Sequence, residues 1–339
     1  MKRKILLLLL SLFGCLILGG CLLNPQTGNE QYTVTYFELF DTVITVSGRA
    51  DSSAAFQEKA TAIRDELQYY HQLFDIYHDY EGVANIKTIN DNAGVQPVTV
   101  DPAIIALLRD CKAYYELTGG KVNVAMGGVL KLWHEARNGQ QAKLPDREQL
   151  MEAAAHTSMD SIVINEEDCT VFITDPLVQL DVGAVAKGWA TQRVAEKAPA
   201  GLLLNIGGNI CATGPKTEDG TPWIIGVQDP DNANQNLHTL YLTLGSAVTS
   251  GDYQRYFVVD GEIYHHIIDP ETLMPATEWR SVTVLCEDSG LADALSTGLF
   301  LLDLEQGKLL VQKCGAEAMW VDQEGNEFMT EGFESRLRN

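Results

Sequence analysis

One segment of the chain has the residue types of a phosphate-binding turn: Asp181 to Gly188, which reads DVGAVAKG and carries Lys187. Alternating apolar residues predict a strand before this turn, and apolar residues at helical spacing predict a helix after it (Val178, Leu180 and Val182, then Trp189, Ala190, Val194 and Ala195). Free N–H groups at a helix N-terminus, the helix dipole and a nearby ammonium group together favour a bound phosphate. The turn matches neither the P-loop pattern nor the dinucleotide Gly-x-Gly-x-x-Gly pattern. Tight packing of a strand on a helix beside a solvated lysine would give the same residues, so the turn alone leaves both interpretations open.

A carboxylate and a hydroxyl group lie four residues apart further along the chain. Asp293 and Thr297 would share one face of a helix predicted over residues 291–302, because residues i and i+4 are neighbours on a helix. Two oxygen donors suit a hard cation such as Mg2+, which keeps several water ligands and also binds substrate phosphate. The alternative is that Asp293 is a first-turn residue favoured by the helix dipole, and that the Thr297 hydroxyl hydrogen-bonds the backbone of its own helix.

Two adjacent histidines, His265 and His266, end a predicted hairpin just before the turn Asp269-Pro270. Neighbouring side chains of a strand point to opposite faces, so only one of the two histidines can enter a given pocket. That histidine could act as a general base on a hydroxyl nucleophile or hydrogen-bond a ligand. Alternatively, both are structural residues with neighbouring partners.

Two further segments would let a ligand approach the backbone closely. Leu204 to Asn209 and Ser250 to Tyr253 each follow an apolar strand and contain glycine. Turns need the same residues without any ligand, so neither segment alone indicates a site.

Residues 1–20 have the features of a bacterial lipoprotein signal peptide. Three basic residues precede an apolar stretch from Ile5 to Leu18, and small residues lead from there to Cys21. Cleavage before Cys21 and lipidation of its thiol would anchor the protein to the cell membrane at its extracytoplasmic face. An uncleaved signal anchor is the alternative, since the apolar run can be extended through Leu23.

The chain is strongly acidic, with 46 Asp and Glu against 24 Lys and Arg and a formal net charge of −22. This charge argues against a nucleic-acid partner and against docking on anionic lipid through a basic patch. Five cysteines follow the predicted lipidation site without any Cys-x-x-Cys pair: Cys111, Cys169, Cys211, Cys286 and Cys314. We expect free, buried thiols rather than a disulfide framework or a zinc site.

The order of predicted elements indicates the α+β class, with mixed or antiparallel sheets and flanking helices. After a strand over residues 37–47, helical periodicity covers residues 52–74, and Asp101-Pro102 caps another helix. Strands then dominate, at residues 162–164, 170–173, 202–206, 223–227, 239–244, 257–267 and 281–285. Helices over residues 291–302 and 304–313 and a hairpin over residues 319–328 end the chain. We expect a polar tether over residues 21–31 and one catalytic domain over residues 32–335.

In chain order, these segments resemble the motifs of the ApbE-type FAD:protein FMN transferases, a family of bacterial envelope lipoproteins. The matching segments are Phe40-Asp41-Thr42, Tyr77, Gly119-Gly120, Asp181 to Gly188, Asn205 to Asn209, Thr249 to Tyr253, His266 to Pro270 and Ala292 to Thr297. Each segment alone is a weak signal, but the ordered set is specific. The resemblance implies an ApbE-type, T-fold-like domain.

The resemblance also implies that FAD binds as a substrate, with its pyrophosphate near Lys187 and a magnesium ion. The implied metal ligands are the backbone carbonyl of Ala184, Asp293 and Thr297. The implied flavin contacts are Phe40, Tyr77, Lys121, Val122, Asn123, Asp181, Lys187, His266, Ile267 and Ser296. His266, Asp293 and Lys187 are the implied catalytic residues. Two residues depart from the family pattern, because Asp41 stands where glycine is common and Asn123 where aspartate is common.

The activity that the resemblance implies is Mg2+-dependent transfer of FMN from FAD to a Thr or Ser hydroxyl of an acceptor protein, with release of AMP. The implied acceptors carry a Ser/Thr-Gly-Ala-Thr-like motif and belong to membrane or extracytoplasmic redox systems. One alternative is an FAD pyrophosphatase, in which water replaces the acceptor hydroxyl and free FMN leaves. Another is a lipoprotein that binds FAD without turnover. A solute-binding lipoprotein would share the anchor but not the ordered motifs.

Overall fold

The structure, a computed structural model, describes residues 30–139 and 143–338. The strands are β1 Glu30–Leu39, β2 Thr42–Ala50, β3 Val98–Thr99, β4 Ile162–Asn165, β5 Thr170–Ile173, β6 Leu202–Ile206, β7 Asn209–Ala212, β8 Trp223–Asp229, β9 Asn232–Leu242, β10 Gly245–Gly251, β11 Tyr256–Val259, β12 Glu262–His265, β13 Trp279–Cys286, β14 Glu317–Asp322 and β15 Glu327–Met329. The helices are α1 Ser53–Phe74, α2 Ile86–Asp91, α3 Pro102–Leu117, α4 Gly127–Asn138, α5 Arg147–Ala154, α6 Ala186–Lys197, α7 Ser289–Phe300, α8 Leu304–Cys314 and α9 Glu331–Glu334.

An eight-stranded antiparallel sheet forms the centre of the fold, in the order β1-β2-β6-β7-β10-β13-β14-β15. Successive side chains of a strand face opposite sides, so β10 and β14 each contribute to two cores. Val248 and Trp320 are buried under α7 and α8 on one face. Ala247 and Met319 are buried under the β8–β9 pair on the other face. The α+β prediction is confirmed.

Two smaller elements complete the framework around the site. A three-stranded antiparallel sheet has the order β3-β5-β4, and β11 and β12 form a separate hairpin. One face of this hairpin, with Phe257 and Tyr264, packs against Trp133 of α4.

The predicted helix starts are confirmed. Ser52 caps α1, with its hydroxyl oxygen accepting from Ala55 N at 3.2 Å. Asp101 caps α3, and Pro102 occupies the first turn, where no N–H donor is needed. Asp288 caps α7 by accepting a hydrogen bond of 2.7 Å from Leu291 N.

The strand predicted from Val178, Leu180 and Val182 is wrong. These residues are buried, but their segment is extended chain with only one bridge, between Gln179 and Met126. The backbone of Leu180 pairs with a side chain instead, since Asn90 Oδ1 accepts from Leu180 N at 2.7 Å and Asn90 Nδ2 donates to Leu180 O at 3.0 Å. Apolar alternation therefore reflects two-sided burial here, and not membership of a sheet.

Of the predictions for the N-terminal part of the chain, only those for residues from Glu30 onward can be compared with the structure. The strand predicted over residues 37–47 is in fact two strands, β1 and β2, joined at Phe40 and Asp41, whose φ angles of 54° and 50° make the tight turn. Because β1 begins at Glu30, the last two residues of the predicted tether belong to a strand. The predicted signal peptide and Cys21 lie outside the described residues. No described helix is long and apolar enough to cross a membrane.

The predicted burial of the thiols is confirmed for two of the five cysteines. All five described cysteines are free, with Cys111 and Cys211 buried and the other three partly buried.

Candidate active site

The turn around Lys187 and the helix that carries Asp293 meet in space. Gly188 N donates a hydrogen bond of 2.8 Å to Asp293 Oδ2 across 105 residues of sequence. A Cβ atom at position 188 would lie 2.3 Å from Asp293 Cβ and 2.4 Å from Ser289 O. Only glycine therefore allows α6 to approach α7 this closely.

The carboxylate of Asp293 is the centre of this contact. It is 4% exposed, and Lys187 Nζ lies 3.8 Å from its Oδ2. Ser296 Oγ contacts Ser250 Oγ at 2.8 Å and Asp293 O at 2.9 Å, which fixes this turn of α7 against β10. Thr297, four residues after Asp293 on the same helix, is partly buried.

The donor set fits a magnesium ion. Within the part of the chain that the structure describes, Asp293 Oδ1 makes no hydrogen bond and is free to coordinate. Thr297 and the Ala184 carbonyl would add two neutral oxygens, and Mg2+ takes its remaining ligands from water and phosphate. The described residues contain no cluster of three or more His, Cys, Asp or Glu side chains that could hold a metal, so a cage of several carboxylates or thiolates is not formed among them.

In the turn before α6, several backbone N–H groups donate hydrogen bonds to acceptors within the turn itself. Val182 O accepts from Val185 N at 3.0 Å and from Ala186 N at 2.8 Å, and Asp181 Oδ1 accepts from Gly183 N at 2.9 Å. The N–H groups of Gly183, Val185, Ala186 and Gly188 therefore have acceptors among the described residues, and phosphate binding at this helix start stays a prediction. Lys187, partly exposed at the same turn, is the group left to attract an anion.

The two histidines lie in different environments. His265 is buried and satisfied: its Nδ1 accepts from Ile267 N at 3.2 Å, so its Nε2 donates to Ala276 O at 2.7 Å. His266 follows β12, and its buried Nδ1 has no partner within the described residues. Burial lowers the pKa of His266 to about 3, and the positive charges of Arg255 and Lys187 act in the same direction. His266 is therefore neutral at physiological pH.

Two aromatic residues predicted to contact a flavin, Tyr77 and Phe40, each contact a histidine. Tyr77 is 56% exposed, and its hydroxyl lies 2.9 Å from His134 Nδ1. Phe40 N donates to His71 Nδ1 at 3.2 Å, which helps to hold the left-handed turn in place. Sequence reasoning missed His134, which no motif marks.

Other predicted flavin contacts are engaged in holding the loops. Lys121 pairs with Asp269 at 3.2 Å and with Glu271 at 2.8 Å. Asn123 donates through Nδ2 to Thr157 O at 2.9 Å and accepts through Oδ1 from Ala125 N at 2.8 Å. Three more of these residues have almost fully buried side chains and would reach a ligand mainly through backbone atoms: Val122, Ile267 and Ser296. Their contacts with flavin stay predictions.

Two cavities meet at Gln254. One, of about 330 Å³, is lined by Asp41, Arg137, Gln254, Arg255 and Tyr256. The second, of about 250 Å³, lies between the large sheet and the β8–β9 pair, and both glycine-containing segments contribute to it, with Asn205, Gly208, Thr249 and Tyr253 among its lining residues. The arginines were also missed from the sequence.

The comparisons with known proteins agree with this fold. The ApbE family model matches residues 33–320. The chain is similar to the FAD:protein FMN transferase of Klebsiella pneumoniae (strain 342), at 35% identity over 265 residues, which is 74% of this chain and 80% of the relative. It is also similar to the FAD:protein FMN transferase of Treponema pallidum (strain Nichols), at 32% identity over 308 residues, 85% of this chain and 83% of the relative.

Solved structures show the same architecture. The crystal structure of the ApbE protein from Thermotoga maritima matches with a TM-score of 0.82 and 32% identity, over 91% of this chain and 100% of that one. The flavin transferase ApbE from Vibrio cholerae, at 23% identity, supports the fold alone, with a TM-score of 0.77 over 91% of this chain and 99% of that one. The fold and the relatives define an enzyme of the transferase class. The chain belongs to the ApbE family, as the ordered motifs predicted.

Proposed function

We propose that this protein transfers FMN from FAD to a Ser or Thr hydroxyl of an acceptor protein and releases AMP, with Mg2+ bound at Asp293, Thr297 and the Ala184 carbonyl. The names of the relatives support the flavin donor and the protein acceptor. The observation that carries the proposal is the hydrogen bond of 2.8 Å from Gly188 N to Asp293 Oδ2, because it joins the lysine turn and the carboxylate helix in one site.

The reaction exchanges one bond to phosphorus for another. The acceptor oxygen bonds to the phosphorus on the FMN side of the pyrophosphate, the bond from that phosphorus to the bridging oxygen breaks, and AMP leaves with the electron pair. Magnesium, when bound, neutralises pyrophosphate charge. Lys187, 3.8 Å from Asp293 Oδ2, places a further positive charge where the pyrophosphate is expected.

His266 is the candidate to accept the proton of the attacking hydroxyl. It is neutral, and its buried Nδ1 has no partner within the described chain. Lys187, one of the cations that help to hold its pKa low, lies where the pyrophosphate is expected, and a bound pyrophosphate would neutralise it. FAD binding should therefore raise the pKa of His266 and make the ring a better base when substrate is present.

A lipid anchor at Cys21 would hold this enzyme at the extracytoplasmic face of the cell membrane. The support is the signal-like sequence of residues 1–20. An enzyme in this position would meet acceptors of extracytoplasmic redox systems.

Mass spectrometry tests the proposal directly. The protein without its first 28 residues is incubated with FAD, Mg2+ and an acceptor domain that carries a Thr-Gly-Ala-Thr segment. We expect the acceptor to gain the mass of an FMN group and free AMP to appear. Release of FMN without an adduct would instead establish a pyrophosphatase, and intact FAD throughout would establish a binding protein.

A further inference from the structure

Two arginines line the larger of the two cavities, and neither has a carboxylate partner among the described residues. Arg137 lies in the last turn of α4, Arg255 precedes β11, and both line the cavity of about 330 Å³. Neither guanidinium group lies within 4.0 Å of a carboxylate oxygen among the described residues. Burial and the nearby charge of Arg255 lower the pKa of Arg137, so the two cations repel each other and favour an anion between them.

This cavity opens beside the proposed reaction centre. His266 N donates a hydrogen bond of 3.1 Å to Arg255 O, which ties the backbone of the two residues together. Asp41 lines the same cavity and leaves it with one net positive charge. Arg255 and Tyr256 are exposed and Arg137 is partly buried, whereas Asp293, beside Lys187, is buried. An acceptor protein can therefore reach the arginine pair from solvent.

An apolar surface continues outward from this cavity along the β11–β12 hairpin. Val258 and Ile263 are cross-strand partners, 46% and 60% exposed. Tyr256 precedes Val258 by two residues, so the two side chains share a face of the strand. We call Tyr256, Val258 and Ile263 the hairpin face.

We propose that Arg137, Arg255 and the hairpin face form the docking surface for the acceptor protein, with an acceptor carboxylate between the two arginines and acceptor apolar side chains on Val258 and Ile263. This inference rests on the proposed function, which requires a protein acceptor. The acidic remainder of the enzyme repels an acidic segment of the acceptor, whereas Arg137 and Arg255 attract such a segment. Repulsion by the surrounding carboxylates and attraction by the two arginines together fix which acceptor residue lies at the reaction centre, and they also contribute to affinity.

Two synthetic peptides test the charged half of the surface. Both contain Thr-Gly-Ala-Thr, and they differ only in having Asp or Asn in the flanks. In the double variant Arg137→Gln/Arg255→Gln we expect the KM of the Asp peptide to rise about tenfold or more and the KM of the Asn peptide to stay the same. The Kd for FAD with Mg2+, measured by flavin fluorescence without acceptor, should not change. Arg109→Gln is the matched control, because Arg109 on α3 pairs with Asp110 at 3.3 Å and lies outside the cavity lining.

Different outcomes overturn different statements. Equal KM values for the Asp peptide with wild type and the double variant would overturn the docking proposal. A Kd for FAD weakened to the same extent would also overturn it, and would assign the arginines to the phosphates of the dinucleotide. If wild-type enzyme modifies neither peptide, the proposed function fails, and fluorescence anisotropy of labelled peptides still tests whether the Asp peptide binds through the arginines.

A second pair of variants tests the apolar half. Val258→Ser/Ile263→Ser should raise the KM of an acceptor domain about tenfold and leave the Kd for FAD unchanged. Val163→Ser, an exposed valine of β4, is the control. An unchanged KM in the hairpin variant would remove the hairpin face from the docking surface.

Discussion

Lys187 Nζ lies 3.8 Å from Asp293 Oδ2, and the carboxylate is almost completely buried. In the sequence the two residues belong to separate motifs, one of which suggested phosphate and the other a cation. In the fold they are one charged pair at the junction of α6 and α7. In the proposed function a metal ion and a phosphate group would bind here together, because each would supply the counter-charge for one member of the pair.

Asp293→Ala should abolish transfer, since it removes the anionic donor of the proposed metal site. We expect the rate to fall at least about a hundredfold, with the loss measured as FMN-acceptor adduct formed per minute at several Mg2+ concentrations. Glu305→Ala on the exposed surface of α8 is the control. Activity retained by Asp293→Ala under limiting Mg2+ would contradict the metal assignment.

Gly188→Ala should destabilise the protein and reduce turnover, because the added Cβ would lie 2.3 Å from Asp293 Cβ. We expect a loss of about 1–3 kcal/mol in the free energy of unfolding, measured with urea. Gly128→Ala is the matched control, since the nearest atom to its Cβ would be Ala153 Cβ at 3.7 Å and a helix gains from alanine. Equal stability of the two variants would show that α6 and α7 can separate at no cost.

The low pKa of His266 makes stability depend on pH. Between its folded pKa of about 3 and the ordinary value of 6.5, the unfolded chain binds a proton that the folded chain does not. Falling pH therefore lowers the free energy of unfolding through this group, by at most about 1.4 kcal/mol for each pH unit of that window. His266→Gln should lose this part of the slope while His265 remains in both proteins. Urea unfolding at about pH 4.5 and about pH 7 measures the difference, and parallel slopes for the two proteins would contradict it.

Asn123→Asp should destabilise the loop before α4, although aspartate matches the family pattern. Asn123 Nδ2 donates to Thr157 O at 2.9 Å, and a carboxylate there would face a carbonyl oxygen without a proton to share. We expect a loss of about 1–3 kcal/mol by urea unfolding and no tighter binding of FAD by fluorescence titration. Tighter FAD binding at unchanged stability would show that this chain accommodates the usual aspartate.

The sequence predicted those parts of the site that local patterns encode. Asp101-Pro102 marked the start of α3, and the i, i+4 spacing of Asp293 and Thr297 placed both on one helix. The prediction that His265 and His266 point to opposite faces assumed that both lie in a strand, whereas β12 ends at His265.

The rest depended on contacts between distant segments. His134 and Arg137 belong to a helix with no motif, and only the packing of α4 on the hairpin brings them to the cleft. The segment around Leu180 looked like a strand because burial on two sides gives the same alternation as a sheet. No sequence pattern reveals that an asparagine ninety residues away takes the place of the neighbouring strand.

The contact of Trp133 with Phe257 and Tyr264 couples the two sides of the cleft mouth mechanically. Arg137 lies one helical turn after Trp133, and Arg255 lies two residues before Phe257. Each arginine is therefore close in sequence to a ring of the same aromatic cluster. Trp133 Nε1 also donates to Leu273 O at 3.0 Å, which fastens the cluster to the turn after Asp269. The separation of the arginines is thus set by three rings that do not line the cavity, and loosening this cluster would change the spacing of the arginines without removing any charged side chain.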